Sequence, residues 1–225
     1  MKTVRFLVEG VKDVFFLRAL FAARFSRFQY VGSPTGYENG ALFKSVESSV
    51  EIEIVPVGGY AKLDKSKASA ENKEGIEWRV AIIFDADTTG VERGGVAART
   101  GMLNSIISSW KLLAPPTMPI DVFLFPDNRR DGELEDLLED IVPQRFRPLI
   151  AECWRRYELC LEVHGGQKPS QKSKMNDYEA AVIGPSVWEH KGIMKGLLDP
   201  NLWDWKSEKL FPLVDFIEKQ LASLK

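Results

Sequence analysis

Four short apolar segments, separated by stretches that are mostly helical in pattern, constrain the fold of this 225-residue chain most strongly. They are residues 4–8, 51–57, 79–84 and 120–125. Strands that alternate with helices pair in parallel, because each crossover carries the chain back over one face of the sheet. We therefore predict an α/β core over residues 1–142, with a parallel sheet of about four strands and helices on both faces.

The rest of the chain, residues 143–225, shows helical patterns only. Three stretches carry them: residues 144–163, 175–184 and 207–225. Because their leucines and tryptophans need cover from water, we predict a helical extension packed on the core.

The composition argues against several classes of function. A formal net charge of −2 argues against a protein that coats nucleic acid by bulk electrostatics, although local contacts stay open. The sequence contains no apolar run of the roughly 18 residues that span a bilayer and no signal-peptide pattern at its start, which predicts a cytoplasmic protein without a membrane anchor. Two histidines and two cysteines without zinc-ligand spacing leave oxygen as the ligand for any metal.

Acidic residues follow three of the four predicted strands. Glu9 and Asp13 follow the first strand, and Asp85 and Asp87 follow the third. The fourth strand is followed by Asp127, Asp131, Glu133, Glu135 and Asp136. Parallel strands have their carboxyl ends at one edge of a sheet, where ligands bind in open α/β folds. If the backbone stays extended, the i, i+2 spacing of Asp85 and Asp87 also places both side chains on one side.

Carboxylates gathered at one edge repel one another and raise each other's pKa unless a cation balances them. Mg²⁺, or Mn²⁺, suits such a set because it prefers hard oxygen ligands and is commonly bound together with substrate phosphates. Two such ions about 4 Å apart clamp the attacking and leaving oxygens of a phosphodiester. The pattern therefore predicts phosphoryl-transfer or nuclease chemistry.

These motifs resemble the Toprim domain, the catalytic module of topoisomerases, bacterial primases, recombination proteins and OLD-family nucleases. A glutamate follows the first strand in "LVEG", and an aspartate pair follows a later strand in "FDAD". The opening "EGVKD" is similar to that of OLD-type nucleases, and "FPDNRRDGELEDLL" is similar to a segment of small uncharacterised Toprim-like proteins. The resemblance covers residues 1–141.

The resemblance implies a role for each matching acid. Glu9 would be the catalytic general acid or base, or a metal ligand, and Asp85 and Asp87 would be the metal-binding pair. Asp13 would match the additional acid of the OLD type. Glu135, or else Glu133, would match the metal-binding acid after the fourth strand. Capping a helix terminus, worth about 1 kcal/mol, stays an alternative for Asp13 and for the acids of "GELEDLLED".

The expected substrate is nucleic acid, with DNA favoured over RNA. Arg129 and Arg130 beside the acidic edge, and Lys172 from the extension, are candidates for holding phosphate. The sequence has neither the ATPase half of OLD proteins nor the zinc modules of primases, so a separate ATPase or another protein partner is expected.

Two other functions stay open. The stretch "DADTT" fits D-x-D-x-T, the motif of haloacid-dehalogenase-like phosphatases, in which the first aspartate attacks phosphorus. That family carries the motif on its first core strand, whereas here a complete β/α unit precedes it. A non-catalytic Toprim-like module that binds metal or nucleic acid, or that regulates a neighbouring enzyme, is the second alternative.

Overall fold

A computed structural model describes residues 2–65, 77–110, 119–184 and 195–222. Its strands form one six-stranded sheet in the order β2-β3-β4-β1-β5-β6. The strands are β1 (Lys2–Val8), β2 (Phe28–Gly32), β3 (Ala41–Ser45), β4 (Val50–Pro56), β5 (Glu77–Asp85) and β6 (Asp121–Phe125). The helices are α1 (Val11–Arg24), α2 (Val96–Ser109), α3 (Leu134–Asp140), α4 (Arg155–Val163), α5 (Gln171–Ile183), α6 (Lys195–Leu198) and α7 (Phe211–Ala222).

The α/β class is confirmed, but the sheet is mixed and has six strands rather than about four parallel ones. Strands β4, β1, β5 and β6 pair in parallel. Strands β2 and β3, which the sequence pattern did not predict, pair antiparallel and extend the sheet beyond β4. Both are only five residues long, and three consecutive residues of β2 are exposed, so their apolar pattern is weak.

Alternation along β1 separates two cores, one on each face of the sheet. Val4, Phe6 and Val8 point into a core that includes the buried residues of α1 and of the C-terminal helices. Leu7 points to the opposite face, where the core includes Leu103 of α2. Because side chains alternate along a strand, the apolar residues of β1 serve both layers, as in a strand buried on both faces.

The C-terminal part of the chain is helical, as predicted. A π-helix (Leu149–Trp154) continues directly into α4, and α5, α6 and α7 follow. Helix α7 places Leu213 and Ile217 in the same core as β1 and α1. The division of the chain between residues 142 and 143 stays a prediction. None of the described helices is long and apolar enough to cross a membrane.

The strand order determines where the loops meet. Strand β1 has β4 on one side and β5 on the other, so the connections diverge from the carboxyl end of β1. In open α/β sheets such a point leaves a crevice between neighbouring loops. The segments that follow β1, β5 and β6 lie at this edge.

Candidate functional site

Four carboxylates from three consecutive parallel strands and their following helices interact at this edge, and we call them the acidic cluster. Glu9 follows β1, Asp13 lies in the first turn of α1, Asp85 ends β5, and Glu135 lies in the first turn of α3. The charges of the other three all act on the Asp85 carboxyl. The structure thus brings together four of the acids that the sequence singled out.

Backbone amides hold two members of the cluster. The amide of Gly10 donates to Oδ2 of Asp13 over 2.7 Å, and the amide of Leu134 donates to Oδ1 of Asp85 over 2.8 Å. The other carboxylate oxygen of each residue receives no hydrogen bond from the parts of the chain that the structure describes. Asp13 therefore caps its helix, and both carboxylates keep one oxygen available to a ligand.

The cluster carries an excess of negative charge. Burial raises the pKa of Asp13 to about 7, with further increases from Glu9 and Glu135. Burial likewise raises the pKa of Asp85 well above its ordinary value, and Asp13, Glu9 and Glu135 add to the effect. One ammonium partly offsets this charge, because Lys12 Nζ lies 2.8 Å from Oε1 of Glu135.

Asp87 takes a different partner. Its φ of 56° is left-handed, so the backbone is not extended there and the expected alignment with Asp85 does not occur. The Asp87 carboxylate pairs with Arg99 of α2, whose guanidinium lies 4.8 Å from the centroid of the Tyr60 ring. Its backbone carbonyl accepts a 3.0 Å hydrogen bond from Gly132. The structure thus places Asp87 in an ion pair rather than in the acidic cluster.

Glu133 lies at the border of the cluster. Burial raises its pKa, as do the charges of Glu135 and Asp136, whereas Lys172 acts in the opposite direction. Asp136 caps α3, because its Oδ2 accepts a 2.8 Å hydrogen bond from the Glu133 amide. Asp136 therefore has the helix-capping role that was the alternative to a metal-binding one.

The remaining two acids of the β6–α3 segment support the backbone. Asp127 Oδ1 accepts from the amides of Arg129 and Arg130 over 3.0 and 2.9 Å. Asp131 Oδ1 accepts a 2.8 Å bond from the amide of Val96, at the first turn of α2. Both therefore stabilise local structure.

The three basic candidates differ in their surroundings. Arg130 pairs with Asp140, and its Nε lies 3.2 Å from Oδ2 of Asp127. Arg129 and Lys172 are exposed, and the charge of Lys172 reaches Glu133. Arg130 is exposed as well, so all three face solvent, but Arg130 is already paired with two aspartates.

The donor set fits a divalent cation chemically, but its arrangement is not that of a coordinated site. Within the residues that the structure describes, no three His, Cys, Asp or Glu side chains are arranged to hold a metal ion. All four members of the cluster offer hard oxygen ligands, and their uncompensated charge favours a cation. Coordination would require these side chains to turn toward one another, while Lys12 engages only Oε1 of Glu135.

One further acid, which the sequence pattern did not predict as a site residue, acts on the cluster from α5. Glu179 of α5 is only 2% exposed, and its Oε1 has no hydrogen-bond partner among the described residues. Burial raises its pKa to about 7; the charge of Lys12 opposes that increase and the charge of Glu135 adds to it. Met175, Tyr178 and Glu179 are the buried residues of α5, so the i, i+3, i+4 spacing on an apolar face was the available signal.

The chain belongs to the family described as "Protein of unknown function (DUF3226)", which it matches over residues 3–222. It is also similar to the crystal structure of a hypothetical protein from Pyrococcus horikoshii OT3, with a TM-score of 0.55 and 16% sequence identity. The similarity covers 98% of this chain and 95% of the other. At this identity the two proteins share a fold. No functionally curated protein matches the chain.

Proposed function

We propose that this chain is a Toprim-like protein that cleaves phosphodiester bonds of nucleic acid with Mg²⁺ or Mn²⁺ at the acidic cluster. The observation that carries the proposal is the mutual repulsion of four carboxylates from the ends of β1 and β5 and from the first turns of α1 and α3. Buried carboxylates that repel one another cost folding free energy, and they persist at sites where a ligand compensates them.

The parallel order β4-β1-β5-β6 supports the Toprim comparison, because it puts the glutamate of "LVEG" beside the first aspartate of "FDAD". Glu9, Asp85 and Glu135 would hold the cation, with Asp13 and Glu133 nearby. When bound, such a cation polarises a phosphoryl oxygen and lowers the pKa of bound water. Asp87, whose carboxylate pairs with Arg99, would support the loop after β5 instead.

The chain's own groups have separable roles in this proposal. The amides of Gly10 and Leu134 orient Asp13 and Asp85. Lys12 orients Glu135 through its Oε1. Exposed Arg129 and Lys172 lie where they could attract a phosphate backbone toward the acidic edge, which would otherwise repel it.

The test is cleavage of plasmid and single-stranded DNA, and of RNA, by the purified protein with Mg²⁺ or Mn²⁺. We expect cleavage that EDTA abolishes and that Asp85→Asn reduces at least about 100-fold, the scale on which positioned catalytic groups act. Glu218→Gln, which changes an exposed acid on α7, is the matched control and should cleave normally.

The same assay separates the alternatives. Turnover of a phosphomonoester that is lost in Asp85→Asn, without nucleic-acid cleavage, would support the phosphatase. Stabilisation by Mg²⁺ without any turnover would support a non-catalytic binding module. Neither outcome is compatible with the proposed nuclease.

A further inference from the structure

A groove lies between α5 and the π-helix that leads into α4, and we call it the extension groove. Its first half is a cavity of about 360 Å³, which the cations Arg147, Arg155 and Lys174 help to line. Its second half is a cavity of about 310 Å³. Ile150, Trp154 and Lys174 line both halves, which therefore adjoin. Each half has a volume in the range of small-molecule sites.

Two arginines of the first half are open to an anionic ligand. Both Arg147 and Arg155 are exposed. Among the described residues Arg155 forms no ion pair, and Arg147 donates only to a backbone carbonyl, that of Asp140, over 2.8 Å. A guanidinium without a carboxylate partner favours an anion, and its planar fork matches the oxygens of a phosphate.

Two carboxylates line the same half, but both already have partners. Glu139 pairs with Lys174 over 2.7 Å, and Glu158 accepts a 3.0 Å hydrogen bond from the indole of Trp154. Three cations and two carboxylates leave a net positive charge at this half. Because the whole chain carries a net charge of −2, this local excess does not simply follow from the composition.

The second half of the groove is apolar and contains an exposed aromatic ring. Tyr157 is 49% exposed, and its ring meets that of Trp154 edge-on, with 5.5 Å between the centroids. Leu149 and Ile150 line the same half. Among its described lining residues the one carboxylate belongs to Asp177, which is exposed. A planar, largely apolar group such as a nucleobase suits these surroundings.

The groove lies beside the acidic edge. Helix α3, whose first turn carries Glu135 of the acidic cluster, packs against α5. Glu139 lines the groove and lies at i+4 from Glu135, on the same face of α3 and about 6 Å further along its axis. A strand of nucleic acid that occupies the groove is therefore next to the acidic edge.

We propose that the extension groove binds one nucleotide of a single-stranded nucleic acid, with the phosphate at Arg147 and Arg155 and the base against Tyr157. This inference rests on the proposed function, since it assigns a single strand as the substrate of the acidic edge. The base must be unpaired to enter the apolar half. Phosphate contacts and base stacking both act without a metal ion, so this binding is separable from cleavage.

The test is the affinity of the full chain for fluorescently labelled oligo(dT) in EDTA, measured by fluorescence anisotropy. Arg155→Gln should weaken binding and reduce the slope of log K against log salt concentration by about 0.7, the contribution of one phosphate contact in a single strand. Tyr157→Ala should raise the Kd about tenfold, the scale of one stacked base, and leave that slope unchanged.

Arg27→Gln and Tyr30→Ala are matched controls, because Arg27 precedes β2 and Tyr30 lies on it, at the opposite edge of the sheet from β6. Both residues are exposed, as are Arg155 and Tyr157, so none of these substitutions removes a core side chain. The controls should bind oligo(dT) as the wild type does. Tyr157→Ala should leave the affinity for a DNA duplex unchanged, because paired bases do not enter the groove.

The outcomes separate the two proposals. If Arg155→Gln and Tyr157→Ala weaken binding no more than the controls do, the role of the groove is overturned and the proposed cleavage is not. Absence of oligo(dT) binding by the wild type, or displacement of the strand by an equal concentration of thymidine monophosphate, also overturns the role of the groove. Binding as expected without cleavage in Mg²⁺ or Mn²⁺ overturns the proposed nuclease and leaves the groove.

Discussion

Buried carboxylates have different surroundings in two regions of this molecule: in the interior of the sheet Glu53 pairs with an arginine, whereas at its edge three carboxylates of the acidic cluster raise the pKa of a fourth. Arg5 of β1 pairs with Glu53 of β4, and their side chains are 4% and 8% exposed. The guanidinium also lies 4.4 Å from the centroid of the Trp78 ring. At the edge, the ammonium of Lys12 contacts Glu135, while the charges of Glu9, Asp13 and Glu135 all act on Asp85. The interior pair completes a fold, whereas the cluster is left with charge that a ligand can balance.

The pKa shifts of two aspartates on neighbouring strands, Asp121 and Asp85, also have opposite directions. Partial burial acts to raise the pKa of Asp121 on β6, but hydrogen bonds from Gln220 and Lys219 outweigh it and lower that pKa. Gln220 Nε2 donates to Asp121 over 2.9 Å, and Lys219 Nζ lies 3.2 Å away. The pKa of Asp85, at the end of the neighbouring strand, is raised. Hydrogen-bond donors thus lower the pKa of the partly exposed Asp121, whereas burial and neighbouring carboxylates raise that of Asp85.

Breaking the interior pair should have the largest effect. Arg5→Met leaves the Glu53 carboxylate without its ion-pair partner, so the free energy of unfolding should fall by about 3–5 kcal/mol. Urea denaturation measures this change. Arg5→Met with Glu53→Met should recover most of the loss, since neither residue is then charged. A loss below about 1 kcal/mol in the single variant would show that the pair is not a structural element.

The pH dependence of the metal-free protein should be the next largest effect. Asp13 has an ordinary pKa of 3.8 and a pKa of about 7 in the folded chain, so between these values the folded state holds a proton that the unfolded state has released. This contribution to stability is present below pH 4 and is lost as the pH rises through 7. The loss should be about 2–4 kcal/mol relative to Asp13→Asn, whose asparagine can still accept from Gly10.

Parallel denaturation curves for the wild type and Asp13→Asn from pH 4 to pH 8 provide the measurement. A constant difference across that range would mean that the Asp13 carboxyl titrates normally, and the repulsion in the cluster would then be absent.

Asp85→Asn should stabilise the metal-free protein. The substitution removes a charge from the cluster, and the asparagine oxygen can still accept from the Leu134 amide. We expect a gain of about 1–2 kcal/mol in the free energy of unfolding at pH 8. Thermal unfolding in EDTA measures it, and a decrease of the same size would contradict the account.

Asp87→Asn should produce the smallest change, and one of opposite sign. It removes the partner of Arg99, whose side chain is 11% exposed, while that of Asp87 is 21% exposed. A loss of about 1 kcal/mol is expected, since solvent partly screens the pair. Measured beside Asp85→Asn, it tests whether two aspartates two residues apart belong to different environments. If both substitutions changed the free energy of unfolding in the same direction, the two aspartates would share one environment.

The sequence was sufficient for much of the fold. Short apolar runs made β1 and β5 recognisable, and the β/α order implied that they are parallel. The sequence pattern was insufficient to predict β2, whose segment "FQYVG" contains three exposed residues. Such an edge strand depends on pairing with β3, which local periodicity does not encode.

The acidic cluster was predictable because strand ends in a parallel sheet share an edge, which brought Glu9, Asp85 and Glu135 together as expected. The position of Asp87 was not predictable from the sequence, because the direction of its side chain depends on a left-handed φ and on pairing with Arg99 of the following helix. Glu179 lies 39 residues beyond the end of α3, and only tertiary packing reveals its relation to Lys12.

The most direct measurement of the central claim, that the acidic cluster is a divalent-cation site, is the thermal unfolding of wild type and Asp85→Asn with and without 10 mM Mg²⁺. A ligand that binds only the folded state, at a concentration near 100 times its Kd, adds about 2.7 kcal/mol of stability. We predict that Mg²⁺ raises the wild-type Tm by about 5–10 °C and leaves that of Asp85→Asn within about 1 °C. Equal Tm shifts in the two proteins, or no shift in either, would contradict the claim that the acidic cluster binds a divalent cation.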